Sequence, residues 1–89
     1  MKFYHSTSFE SWIKTQKEGC LWGIRNAPSR CTYLALELED CPKDDVYLEV
    51  CYDPLVNPGE NNYFEECWQT RVYERIPIEN VKRIDYDNV

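Results

Sequence analysis

The chain has 89 residues and carries a net charge of −6, from sixteen Asp and Glu against ten Lys and Arg. That balance argues against direct nucleic-acid binding, which needs a basic stripe, and allows a protein partner with a basic surface. The length fits one small domain over residues 1–89, and no stretch approaches the roughly twenty apolar residues of a membrane span.

The first element is an apolar strand that delivers the only histidine, His5. A helix start follows at once. Thr7-Ser8-Phe9-Glu10 has the form of a capping box, with Thr7 accepting from the amide at Glu10. Phe9, Trp12 and Ile13 follow at helical spacing and predict one apolar face. Gly19 stands where a left-handed residue ends a helix, so the helix covers residues 8–18. Cys20 to Gly23 reads as an apolar tether, and residues 24–30 as a loop.

Thr32 to Leu36 reads as a buried strand. Glu37 to Asp40 allows one helical turn, and Pro42-Lys43-Asp44-Asp45 a turn. Val46 to Tyr52 is the clearest strand. It puts Val46, Leu48, Val50 and Tyr52 on one face and Tyr47, Glu49 and Cys51 on the other. Asp53-Pro54 stops it. Residues 57–62 form a polar loop. Trp68 to Tyr73 is a further strand, with Trp68, Thr70 and Val72 opposed to Gln69, Arg71 and Tyr73. Val81 to Ile84 is the last.

Strands dominate and one helix follows the first of them. The expected class is α+β, with a small twisted or split, antiparallel-rich sheet and one amphipathic helix. Aromatic residues make up 15% of the chain, so Trp and Tyr are expected to carry much of the core. Cys20, Cys31, Cys41, Cys51 and Cys67 form no Cys-x-x-Cys pair and lie far from the histidine in sequence, so no metal is expected. Residues 1–15 contain no long apolar run of the kind that marks a secretory leader. The cysteines therefore read as reduced thiols in a cytoplasmic protein.

Several of these stretches, taken in order, resemble the motifs of the ADP-ribosyltransferase fold. Phe3-Tyr4-His5-Ser6-Thr7-Ser8 is similar to its Tyr-His-Gly-Thr-Ser strand. Tyr33-Leu34-Ala35-Leu36 looks like its second motif. Val46 to Val50 with Tyr52-Asp53-Pro54 looks like its next core strand. Arg71 to Glu74 and Ile76-Pro77-Ile78-Glu79 look like its closing strand and the turn after it. The resemblance implies an ADP-ribosyltransferase-like fold that binds NAD or an ADP-ribose derivative.

The same resemblance implies roles. In that family the histidine hydrogen-bonds a ribose hydroxyl of NAD, which falls to His5. The next residue offers its backbone to the nicotinamide amide, which falls to Ser6. A tyrosine stacks on the nicotinamide ring, which falls to Tyr33. The family's glutamate, which holds a ribose hydroxyl and helps the glycosidic bond break, is replaced here by Gln69. Glutamine carries no charge to stabilise an oxocarbenium-like state and cannot act as a base.

The resemblance thus implies a degenerate or weak transferase, with His5, Tyr33 and Gln69 around one ligand cleft. Glu65 and Glu66 would substitute only if the strand register slipped, and a solvated loop is the favoured reading for both. Arg71, Arg25 and Arg30 are phosphate candidates. The plain alternatives are an Arg71–Glu49 pair across the sheet, a solvated loop around Arg25 and Arg30, a His5 that caps local backbone and a Tyr33 in the core. A rival function is an acidic inhibitor of a protein partner, phage-type or antitoxin-like, on the same scaffold without catalysis.

Overall fold

The fold is that of a computed structural model, which describes residues 2–23, 31–52, 63–66, 69–72 and 74–85, the side chains of 63–66 and 69 excepted. The described elements are β1 (Lys2–Thr7), α1 (Phe9–Glu18), β2 (Cys20–Leu21), β3 (Thr32–Ala35), a 3-10 turn at Leu38–Asp40, β4 (Val46–Cys51), β5 (Tyr63–Glu66), β6 (Gln69–Val72), β7 (Ile76–Pro77), a 3-10 turn at Ile78–Asn80 and β8 (Val81–Ile84). Six strands form one antiparallel sheet in the order β5-β6-β3-β1-β4-β8, and β2 pairs with β7 in a second. The described residues adopt the expected α+β class, with an antiparallel, divided sheet and one α-helix.

Alternation along the strands builds the core. Phe3 lies opposite Val50, and His5 opposite Leu48, so β1 and β4 share a buried face. Leu34 lies opposite Thr70, and Thr32 opposite Val72, on the same side. Leu21 and Ile76, paired in the small sheet, close over that face. Phe3, Leu34, Leu48, Val50, Val72 and Ile76 have no exposed surface. Each such side chain contributes about 1.5–3 kcal/mol on burial. Among the described residues aliphatic side chains therefore carry the core, and its aromatic part is Phe3, Tyr52 and the partly buried Trp12. Tyr52 donates its hydroxyl to Glu74 at 3.2 Å, tying the end of β4 to the segment before β7.

The helix departs from its expected cap and face. Thr7 stays in β1, paired with Val46. The cap is Ser8, whose Oγ accepts from the Ser11 amide at 3.1 Å. Asp45 Oδ2 takes the Phe9 amide at 3.4 Å. Phe9 and Ile13 stand 50% and 51% exposed, while Trp12 packs on the core and Thr15 is buried. The helix thus turns Trp12 and Thr15 inward, and not its Phe and Ile. Arg83 of β8 covers the Phe9 ring at 5.4 Å. Gly19 ends the helix as expected, at φ 75°, and its amide donates to the Thr15 carbonyl.

Other expectations also change. Cys20 and Leu21 are a strand, not a tether, because Ile76 and Pro77 supply a partner edge. Residues 63–66 are an edge strand, not a loop. Phe64 pairs with Thr70 and Glu66 with Gln69, so Glu65 is the extra residue of a bulge. Gly23 has a packing reason: a Cβ there would collide with the backbone of Cys31. No helix among the described residues is long and apolar enough to cross a membrane.

Candidate functional site

The site arises where the large sheet splits. β1 and β4 pair through all six residues of each strand. β1 and β3 are in register at Tyr4 and Ala35, and no further pair joins them among the described residues. Beyond that pair the strands part towards Thr7 and Cys31. His5 bridges the gap, with Nδ1 2.8 Å from the Tyr33 carbonyl oxygen. A carbonyl only accepts, so Nδ1 carries the proton and donates. Nε2 is then the acceptor of a neutral ring.

Burial sets that charge state. Desolvation pulls His5 below its ordinary value of 6.5 and outweighs the Tyr33 carbonyl and the Asp44 carboxylate, both of which favour the charged ring. The residue is half-buried by surface, because the space beside it is open. Its ring nonetheless sits deep enough among protein atoms for desolvation to govern its titration.

A cavity of about 420 Å³ fills the opening. β1 contributes His5, Ser6 and Thr7. The start of α1 contributes Ser8, Ser11 and Thr15, which recur at i, i+3 and i+7 and so form one hydroxyl stripe. Trp22, Gly23, Cys31, Tyr33 and Asp44 complete much of the rest. The Gly23 amide donates to Thr32 Oγ1 at 2.8 Å, which holds the chain after β2 against β3. Trp22 is held by Arg75, whose guanidinium lies 4.5 Å from the ring centre. On the other face of the sheet a second cavity of about 210 Å³ shares His5, Ser6 and Tyr33 and adds Tyr4, Asp40 and Cys41. The split thus opens to both faces.

Among the expected site residues, His5, Ser6 and Tyr33 come together. Tyr33 is 37% exposed at the mouth of the split, not in the core. Arg71 lies opposite Tyr33 and its guanidinium stands 5.4 Å from the Tyr33 ring centre. It does not pair with Glu49: two strands separate β6 from β4, and Glu49 takes Lys2 at 3.7 Å. Position 69 lies opposite Ala35, on the Tyr33 face of the sheet, whereas position 5 is on the core face. Glu66 is its neighbour on β5 and Glu65 occupies the bulge. Arg25, Arg30, Trp68, Tyr73 and Cys67 lie outside the described residues.

Sequence reasoning missed Asp44, Trp22 and the hydroxyl stripe. The stripe had a signal in the spacing of Ser8, Ser11 and Thr15. Asp44 had none, since only the fold brings its turn beside His5. Cys20, Cys31, Cys41 and Cys51 are free thiols. Burial and the neighbouring Asp40 push Cys41 up to about 11, so it is a poor nucleophile at neutral pH. Comparison with family models, curated proteins and solved structures finds no match to this chain.

Proposed function

We propose that the protein binds NAD or an ADP-ribose derivative in the cleft between His5 and Tyr33, and transfers ADP-ribose slowly or not at all. One observation carries this reading. A neutral histidine, with its proton committed to the Tyr33 carbonyl, lines a cavity of about 420 Å³ together with Tyr33. That volume falls in the ordinary range of small-molecule sites. The Nε2 acceptor suits a ribose hydroxyl, and a tyrosine face suits a heteroaromatic ring. Ser6 lines the same cavity, and the family resemblance gives its backbone to an amide. Arg71, beside Tyr33, is positioned for the far part of the ligand.

Weak transfer follows from Gln69 and from the distance in fold terms between position 69 and His5, which sit on opposite sheet faces. Calorimetry with ADP-ribose and NAD tests the binding, and nicotinamide release tests the chemistry. The expected result is saturable binding with little release. Gln69→Glu raises release if the glutamine is what limits it. Failure of both ligands to bind sinks the reading.

A second reading has its own observation. Glu37, Glu39, Asp40, Asp44 and Asp45 are all exposed within one nine-residue stretch. Such a surface suits a basic protein partner, with association that weakens as salt rises. A partner captured at low salt and retained by a His5→Ala variant favours that inhibitor function over the nucleotide site.

A further inference from the structure

We propose that the larger cavity seats a neutral, hydroxyl-rich sugar ring and turns phosphate away, with Asp44 as the residue that discriminates. For the identity of the ring as a ribose, this rests on the nucleotide reading above. The charge of the walls supports it independently.

Among the described lining residues, Asp44 is the one charged side chain once His5 is neutral. Most of the remaining polar wall is hydroxyl: Ser6, Thr7, Ser8, Ser11 and Thr15. Hydroxyls donate and accept, so they match a polyol in either sense. His5 Nε2 and the Asp44 carboxylate are acceptors. They suit groups that donate, and a fully ionised phosphate has no proton to give them. Trp22, fixed under Arg75, adds an aromatic wall suited to the carbon-bearing face of a sugar or base.

The start of a helix would ordinarily attract phosphate. Here much of that attraction is already used. The Phe9 amide donates to Asp45 Oδ2 at 3.4 Å, the Ser11 amide to Ser8 Oγ at 3.1 Å and the Trp12 amide to the Ser8 carbonyl at 2.9 Å. Asp45 also offsets the positive end of the helix. A phosphate in this cavity would meet a helix start whose Phe9 and Ser11 amides are occupied, a neutral imidazole acceptor and the Asp44 carboxylate. The diphosphate of a dinucleotide therefore lies outside it.

Asp44→Asn isolates the charge. Asn retains the Oδ1 acceptor that takes the Asp45 amide at 2.8 Å, so the turn is kept. It also removes an influence that favours the charged histidine, so His5 stays neutral.

The probes are adenosine and adenosine 2′-monophosphate, which differ by one phosphate on the ribose, with inorganic phosphate and ADP-ribose alongside. Affinities are read by calorimetry on the full chain. In the wild type, adenosine binds at least about tenfold more tightly than its 2′-phosphate, a difference of about 1.4 kcal/mol. Inorganic phosphate does not compete. In Asp44→Asn the gap narrows to about threefold or less. Asp44→Ser, which also keeps a short oxygen acceptor, gives the same result should the Asn variant fold poorly.

Equal or tighter binding of the 2′-phosphate in the wild type overturns the proposal, as does a gap that neither variant narrows. If ADP-ribose fails to bind while adenosine shows the Asp44-dependent gap, the sugar site stands and the dinucleotide reading falls. If ADP-ribose binds and the gap is absent, the reverse holds. If no probe binds, both fall.

Discussion

Replacing His5 in two ways separates its structural role from its ligand role. The ring holds the two parting strands by donating from Nδ1 to the Tyr33 carbonyl at 2.8 Å. Asparagine carries Nδ2 on the same Cγ and can make that donation, but it has nothing in place of Nε2. Leucine makes neither contact. Losing an exposed hydrogen bond of this kind costs about 0.5–1.5 kcal/mol. For a domain of this size each kcal/mol moves the midpoint by about 4–8 °C. His5→Leu is therefore expected to melt about 2–12 °C below the wild type on those combined figures. His5→Asn should melt within about 2 °C of it, yet bind ADP-ribose at least about tenfold more weakly, through loss of the Nε2 acceptor.

The pH dependence has a definite sign. The folded-state value of His5 is depressed below 6.5, so the unfolded chain takes up the proton first. Stability from this group is complete above 6.5 and is lost as pH falls from there through the folded-state value. His5→Asn lacks that component, so the stability difference between wild type and variant should shrink or reverse from pH 7.5 to 5.5. Urea denaturation at both pH values reads it. A His5→Asn variant as unstable as His5→Leu, with a wild-type pH slope, would refute the bridging role.

Three other predictions are independent of any ligand. Gly23→Ala should destabilise the chain by about 1–3 kcal/mol or more, because the added methyl meets Cys31 backbone rather than a yielding side chain; denaturant melts check it. Tyr52→Phe should cost about 1 kcal/mol through loss of the bond to Glu74, with no change in the effect up to pH 9, since burial and the Glu74 charge hold the phenol up to about 12. Alkylation at pH 7.5 followed by mass spectrometry should label exposed Cys51 well before Cys41, whose thiol titrates near 11.

What the chain made legible was local. The period-2 pattern of Val46 to Tyr52 and the glycine after Glu18 each specify an element without outside help, and both elements form. The helix face was misread because Phe9 and Ile13 satisfy the spacing rule on their own. Only the cavity explains why Ser8, Ser11 and Thr15 turn inward instead. The pairing of Cys20 and Leu21 with Ile76 and Pro77 joins residues more than fifty positions apart, and two residues carry no periodicity. The edge strand at 63–66 hides its pattern in a bulge, where one extra residue breaks the alternation. For the site, the sequence singled out His5 and Tyr33, and they meet through a ring-to-carbonyl bond that motif matching does not specify. Asp44 enters only through tertiary structure, because it lies thirty-nine residues after His5 and its effect depends on the neutral state of that ring.

The central claim is that the split between β1 and β3 is a nucleotide site, and a crystal structure of the chain grown with ADP-ribose tests it most directly. The account predicts a ribose hydroxyl within hydrogen-bond distance of His5 Nε2, the Nδ1 to Tyr33 carbonyl bond intact, and a ring of the ligand against the Tyr33 side chain. ADP-ribose bound elsewhere on the molecule, or an empty split at saturating ligand, would contradict it.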